Sequence, residues 1–297
     1  MPLIIGLAIL FSTLLLGGQE PARPSQSPRE LVVLTAGQQR AKLELNEAAE
    51  SYRKNEFSEA RRHVETAQEY DPQNKTARLF LARIIHRQYL LGDQSPENVA
   101  RALSAIEAYK RILADDAQSE EAYKAIASLY GKIGEDEEQR QWILQRALDP
   151  TVSPEKRSEA YVVLASKDWH CSNMVTDSPA NKETEVRKNR AVVRYHKPKN
   201  DAEFQQAKAC LENGLSEIEI SINLSPESET AWSYKTNLLL EASKLAEMEG
   251  QTDLRAELKQ RANEAQRRTD ELSHKQKQNT EADNSIGNAD PPKAKRP

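Results

Sequence analysis

The chain has 297 residues, 38% of them hydrophobic and 30% charged, with only 10 glycines and a formal net charge of −4. Few glycines and many Ala, Leu, Glu, Lys and Arg favour helix over sheet. The charge is small and dispersed, which excludes the strong basic field of a nucleic-acid binder, so no nucleic-acid partner is expected.

The N-terminal stretch Pro2–Gly18 carries no charged side chain. Its length suits the apolar region of a signal peptide and falls short of the ~20 residues that span a bilayer comfortably. No Lys or Arg precedes it, and Leu16-Gly17-Gly18 is a poor small-x-small cleavage site. Two readings of residues 1–18 therefore stay open: a cleaved signal peptide, or an uncleaved anchor that is the chain's one contact with a membrane. Both predict an exported protein, periplasmic or secreted, tethered to the inner membrane in the second case. Residues 19–37 follow as a linker, with Pro21, Pro24, Pro28, Ser25 and Ser27.

Two short amphipathic helices around a tight turn are predicted in Ala41–Asn74. Ala48, Ala60 and Ala67 let the helices approach closely, and Asp71-Pro72 ends the second because proline cannot extend a helix. Phe57, just past the turn at Asn55-Glu56, closes the open end. This stretch resembles a tetratricopeptide repeat, a helix pair of about 34 residues with a spaced Ala, aromatic and Pro pattern. The resemblance implies a helical solenoid that holds other proteins or peptides.

The pattern recurs downstream. Ala82 stands one such period after Ala48, and Ala105, Ile112 and Ala117 repeat the spacing of Ala60, Ala67 and Pro72. An enlarged turn, Gly92–Pro96, separates the two helices of this second pair. The third pair runs from Tyr123 through a Gly131–Gly134 turn to Asp149-Pro150, with its register slipped by one residue. Ser153 and Pro154 suit the cap and first turn of a fourth first-helix, ending near Trp169. A polar insertion, residues 170–200, follows, and its residues 186–195 are patterned as a small β-hairpin turning near Lys188-Asn189. A helix is predicted over Asp201–Leu224, with Gly214, Ser221 and Pro226 again in repeat spacing. A fifth pair opens at Trp232 and closes with a polar helix, Thr252–Lys275, of the kind that caps solenoids. The predicted fold is all-α: a right-handed superhelix of about five antiparallel pairs over residues 38–275. Residues 276–297 are predicted to be a disordered polar tail. Exported bacterial repeat proteins carry stretches similar to Trp169–Ser172 and Ala231–Leu240, which implies a bacterial cell-envelope setting.

Nothing points to catalysis. The five histidines form no His-Glu-x-x-His pair, and no phosphate-binding glycine loop occurs. No cofactor or metal is expected. Tyr123, Tyr161 and Trp232 hold equivalent packing positions. Tyr52, Arg83, Arg87, Lys124, Tyr234 and Asn237 fall off the packing stripe of the first helices. The resemblance places those six on the concave face, as a partner-binding groove. One subset of the family grips an acidic C-terminus with Lys and Asn. Leu45 and Ala49 occupy two of those places here, so that ligand is not expected.

The chain therefore reads as a non-catalytic interaction scaffold of the cell envelope. The competing reading is a redox-active or other enzyme using Cys171 and Cys210. An even cysteine count in an oxidising compartment favours a bridge between these two, whereas two buried thiols are the alternative. Closing the 39-residue loop between them is worth about 4 kcal/mol in the chain-entropy model.

Overall fold

The structure is a computed structural model that describes residues 34–187 and 190–287. The export segment 1–18, most of the 19–37 linker, the predicted hairpin turn at residues 188–189 and the last ten residues, 288–297, lie outside the described residues. Among the described residues ten α-helices follow one another, as five consecutive antiparallel pairs. They are α1 (Ala36–Arg53) with α2 (Phe57–Tyr70), α3 (Lys75–Arg87) with α4 (Pro96–Asp115), and α5 (Glu120–Lys132) with α6 (Asp136–Leu148). Then come α7 (Pro154–Thr176) with α8 (Asp201–Leu224), and α9 (Glu229–Met248) with α10 (Thr252–Gly287). No helix among the described residues is long and apolar enough to cross a membrane.

Local chemistry sets most boundaries. Thr35 and Gln38 form a reciprocal capping box at the start of α1. Asn74, Ser95, Ser153 and Ser228 cap α3, α4, α7 and α9 with their side-chain oxygens, and Pro96 and Pro154 sit in the first turn of their helices. Three second helices end alike. Asp71, Asp116 and Ser225 all take φ near −143° to −145° and ψ near 83° to 84°. Pro72 and Pro226 bar their predecessors from helical geometry. Asp116 adopts the same shape before Ala117, without proline, so the repeat's stacking holds the turn there. Asp149 departs from the set, at φ −71° and ψ 111°, where the sequence register slips.

The spaced small residues mark close approaches. Ala48, Ala60, Ala67, Ala82 and Ala105 are fully buried. A Cβ on Gly214 would come within 2.8 Å of Leu238 Cδ2 and 3.2 Å of Asp168 Cβ, so α8 can approach both α7 and α9 only with glycine there. The core runs along the stack as successive apolar layers. Val64 and Ile84 lie in the first, Ile106, Tyr109 and Leu129 in the next, and Ile143 and Leu164 after them. The largest layer, around Phe204, Ile218, Leu238 and Leu245, joins α7 to α10.

Two predicted boundaries move. α7 continues past Trp169 to Thr176, so Cys171 lies inside the helix and the insertion begins at Asp177. The added turns are held from outside: Ser172 Oγ and Thr176 Oγ1 donate to the buried Glu241 carboxylate on α9, and Asn173 Nδ2 does so at 3.2 Å. Tertiary contacts thus override the weak helix propensity of that polar run. α10 likewise runs on to Gly287, twelve residues beyond Lys275, where a disordered tail was expected. Leu258, Ala262, Ala265, Thr269 and Leu272 form its buried stripe. The extension contains no proline and no glycine before Gly287, so nothing local stops the helix.

The insertion contains the predicted hairpin, β1 (Lys182–Arg187) paired antiparallel with β2 (Arg190–Tyr195). β2 packs on α9. A disulfide joins Cys171 of α7 to Cys210 of α8, with Cα atoms 6.1 Å apart.

Candidate functional site

Several depressions are lined by first helices of successive pairs. One is a cleft of about 1000 Å³ between α1, α3 and α5, reaching the α3–α4 turn. Tyr52 of α1, Arg83 and Arg87 of α3 and Lys124 of α5 all line it. These are four of the six residues expected on the concave face. Tyr234 and Asn237 are half-buried on α9, two repeat pairs further on, and the structure does not bring them to this cleft. Tyr234 packs against the largest core layer instead. Ala49 lines a neighbouring depression of about 600 Å³ with Tyr52, Phe80 and Arg83, while Leu45 packs inward.

Each lining side chain is placed by its helix. Tyr52 meets Phe57 and Phe80 edge-on, with ring centroids 5.8 Å and 5.6 Å away, so it both closes the first core layer and floors the cleft. Arg83 makes a two-pronged ion pair with Glu121, bridging α3 to α5 across the floor. That bond holds the Glu121 carboxyl below the usual carboxylate range and raises the Arg83 guanidinium. Five further contributors were not expected from the sequence: Glu121, Lys132, Tyr89 and the exposed Leu90 and Leu91. The one signal for the leucines was the enlarged turn at Gly92–Pro96, which breaks the repeat length beside the concave face.

The cleft's cations outnumber its anions. Arg87, Lys124 and Lys132 make no ion pair among the described residues, and Glu121, the one acid on the wall, is already held by Arg83. Behind them, His86 Nδ1 lies 3.3 Å from Tyr109 Oη, with the rings edge to face at 5.8 Å. Burial, helped by Lys132, keeps His86 below the usual imidazole range. Burial and then Glu121 push Tyr109 up to about 12. Both rings are therefore neutral at pH 7 and serve as packed, hydrogen-bonding walls. Among the described residues, no three His, Cys, Asp or Glu side chains gather as metal ligands. The wall sets apolar and cationic side chains next to each other along an open concavity.

The disulfide lies on the other side of the stack's midpoint, between α7 and α8, and both its cysteines are partly buried. Near it, Arg140 of α6 holds two carboxylates at once. It donates to Asp168 at 3.0 Å and 3.1 Å, and to Glu217 at 2.7 Å. Burial, and then the nearby Asp168 charge, push Glu217 up to about 8 despite Arg140.

No protein-family profile matches the chain, and no curated protein matches it. Among solved structures it is similar to MamA from Desulfovibrio magneticus RS-1, at 14% identity and a TM-score of 0.33, covering 80% of this chain and 97% of that one. It is also similar to PilF of Pseudomonas aeruginosa, at 15% identity and a TM-score of 0.32, over 75% of this chain and 90% of that one. A tetratricopeptide repeat protein from Parabacteroides merdae ATCC 43184 gives 12% identity and a TM-score of 0.33, over 79% and 97%. At these scores the likeness carries no argument about function. The stacked helix pairs, their buried small residues and their shared helix ends make the fold of this chain tetratricopeptide-repeat-like.

Proposed function

We propose that this chain is a non-catalytic interaction scaffold of the cell envelope, and that it holds a peptide or protein segment in the cleft between α1, α3 and α5. The observation that carries this is the convergence of Tyr52, Arg83, Arg87 and Lys124, from three first helices, on one open concavity. An open, mixed wall of this kind suits an extended chain better than a small molecule, which needs more enclosure. Export is supported by the uncharged Pro2–Gly18 stretch and by the Cys171–Cys210 disulfide, a bond typical of oxidising compartments. On this reading residues 1–18 serve as signal peptide or anchor, and N-terminal sequencing of the mature protein separates the two.

The test is site-specific photo-crosslinking in the native envelope. A photoreactive group replacing Ser128, which lines the cleft, is expected to capture a discrete protein partner. The same group replacing Arg111, on the second helix α4 and exposed, is expected to capture none. Equal capture from both positions, or none from Ser128, rejects the cleft as the interaction surface. Sustained thiol–disulfide exchange turnover by the purified chain would instead favour the redox reading of Cys171 and Cys210.

A further inference from the structure

The turn between α3 and α4 is longer than a repeat turn needs to be, yet it is built rather than loose. Asn98 in the first turn of α4 is fully buried and staples it. Its Nδ2 donates to Leu90 O at 2.8 Å and to Asp93 O at 2.6 Å, and its Oδ1 accepts from Leu90 N at 2.8 Å. Gly92, at φ +86°, supplies the left-handed residue the bend requires. Asp93 Oδ1 accepts from Ser95 N at 2.8 Å. Tyr89 Oη and Gln94 Nε2 both donate to Lys132 O, which ties the turn to the end of α5.

All this order presents two apolar side chains to water. Leu90 is 55% exposed and Leu91 78% exposed, and both line the cleft. A lone exposed leucine is ordinary, but two adjacent ones on a fixed shelf beside an open concavity are the mark of a contact surface. The side chains flanking them are cationic. Arg87 of α3 and Lys124 and Lys132 of α5 line the same cleft as the shelf, none of them with an ion pair among the described residues. The adjoining depression on the α2 side carries Glu56 and Glu59 with Arg87 and Arg101, whereas on the α5 side of the cleft Lys124 and Lys132 face only Glu121, which Arg83 holds.

We infer that the Leu90–Leu91 shelf and the cations Arg87, Lys124 and Lys132 form one docking site for an acidic, unfolded peptide segment with a large apolar side chain. The apolar side chain rests on the shelf between Tyr89 and the leucines, and the acidic residues face α5. Ordering cost is kept low because the shelf is already fixed. The site deepens the scaffold reading and rests on it, since it names the chemistry of the segment the cleft takes.

The experiment uses the full chain and fluorescence anisotropy with three labelled peptides. The first has a central Leu flanked by Asp and Glu, the second has Lys in place of every acid, and the third keeps the acids but has Ser for Leu. Binding is expected for the first alone, and it is expected to weaken as salt rises. The pair Arg87→Glu with Lys124→Glu is expected to weaken it about tenfold or more, as is Leu90→Ser with Leu91→Ser. These four side chains are exposed or at the rim, and helical circular dichroism checks that both variants fold. Arg61→Glu, on α2 and away from the cleft, is expected to leave binding unchanged. Asn98→Ala, which frees the shelf while keeping every contact group, is expected to weaken binding through a faster dissociation rate. Equal binding of the Lys peptide, or indifference to the Leu-to-Ser change in the peptide, overturns the inference. So does displacement of the first peptide by a short single-stranded oligonucleotide. If none of the peptides binds while crosslinking from Ser128 still captures a partner, the inference falls and the scaffold reading stands. If both fail, both fall.

Discussion

The helices α1–α6 and α7–α10 use the same hairpin unit and hold it together by different means. In the first block, polar bridges between pairs lie at the surface. Arg83–Glu121 links the second pair to the third and Arg78–Asp115 joins the two helices of the second pair, with side chains between about a quarter and a half exposed. Such bridges position groups and add little stability. In the second block two of the polar networks are buried or nearly so, beside exposed pairs such as Lys275–Glu227. Glu241 is 1% exposed and takes bonds from Ser172, Asn173, Thr176 and Lys244. Arg140, Asp168 and Glu217 meet at the junction of α6, α7 and α8. A disulfide and two of the longer helices complete the block. The contrast teaches how the junctions differ: Glu241 and the Arg140–Asp168–Glu217 cluster tie the helices of the second block from inside, whereas the Arg83–Glu121 bridge of the first block lies on the wall of an open cleft.

Four measurements break or sharpen that contrast. The largest effect belongs to the disulfide. Replacing Cys171 and Cys210 by Ser is expected to cost about 4 kcal/mol of stability. Hydrogen exchange should show the loss in α7–α10 while protection in α1–α5 is retained. Equal loss across both blocks would mean the solenoid unfolds as one unit. Intact mass with and without reductant checks the bond itself.

Next is Glu241→Ala, which leaves four donors without their acceptor. A cost of about 3 kcal/mol is expected in a denaturant melt, because a buried charge network is broken rather than replaced. A cost under about 1 kcal/mol would show that water satisfies the site.

Glu217→Gln changes the pH profile. The folded-state value of Glu217 is raised, to about 8, above its ordinary 4.5. The folded chain therefore holds a proton that the unfolded chain releases. The stability this gives is fully present below about 4.5 and is lost as pH rises toward about 8. Glutamine cannot ionise, so the variant should gain on the native chain through that window, by at most about 1.4 kcal/mol per pH unit. A parallel pair of stability curves would place Glu217 outside the linkage.

The smallest effect is expected at the exposed bridge. A double-mutant cycle on Arg83→Ala and Glu121→Ala should give a coupling below about 1 kcal/mol, falling with salt. A coupling as large as that expected at Glu241 would remove the distinction between the blocks.

The sequence by itself determined the repeat array, because its signals are local. Asp71-Pro72 and Pro226 stop helices, Ser153-Pro154 starts one, and Ala48, Ala60 and Gly214 mark where two helices touch. The hairpin in the insertion was legible for the same reason, since strand alternation is written in order along the chain, and the even cysteine count marked Cys171 and Cys210 as a candidate pair that the structure joins. What only the tertiary structure decided depends on groups far apart in sequence. α7 runs to Thr176 because Glu241, on α9, receives its polar side chains. Tyr52, Arg83, Arg87 and Lys124 share a cleft, and Tyr234 and Asn237 do not join them, because the stacking of pairs sets which first helices face each other. The Leu90–Leu91 shelf needed the structure most. Its exposure follows from Asn98, Gly92 and the α5 carbonyl at Lys132 acting together, and hydropathy alone reads two leucines as core.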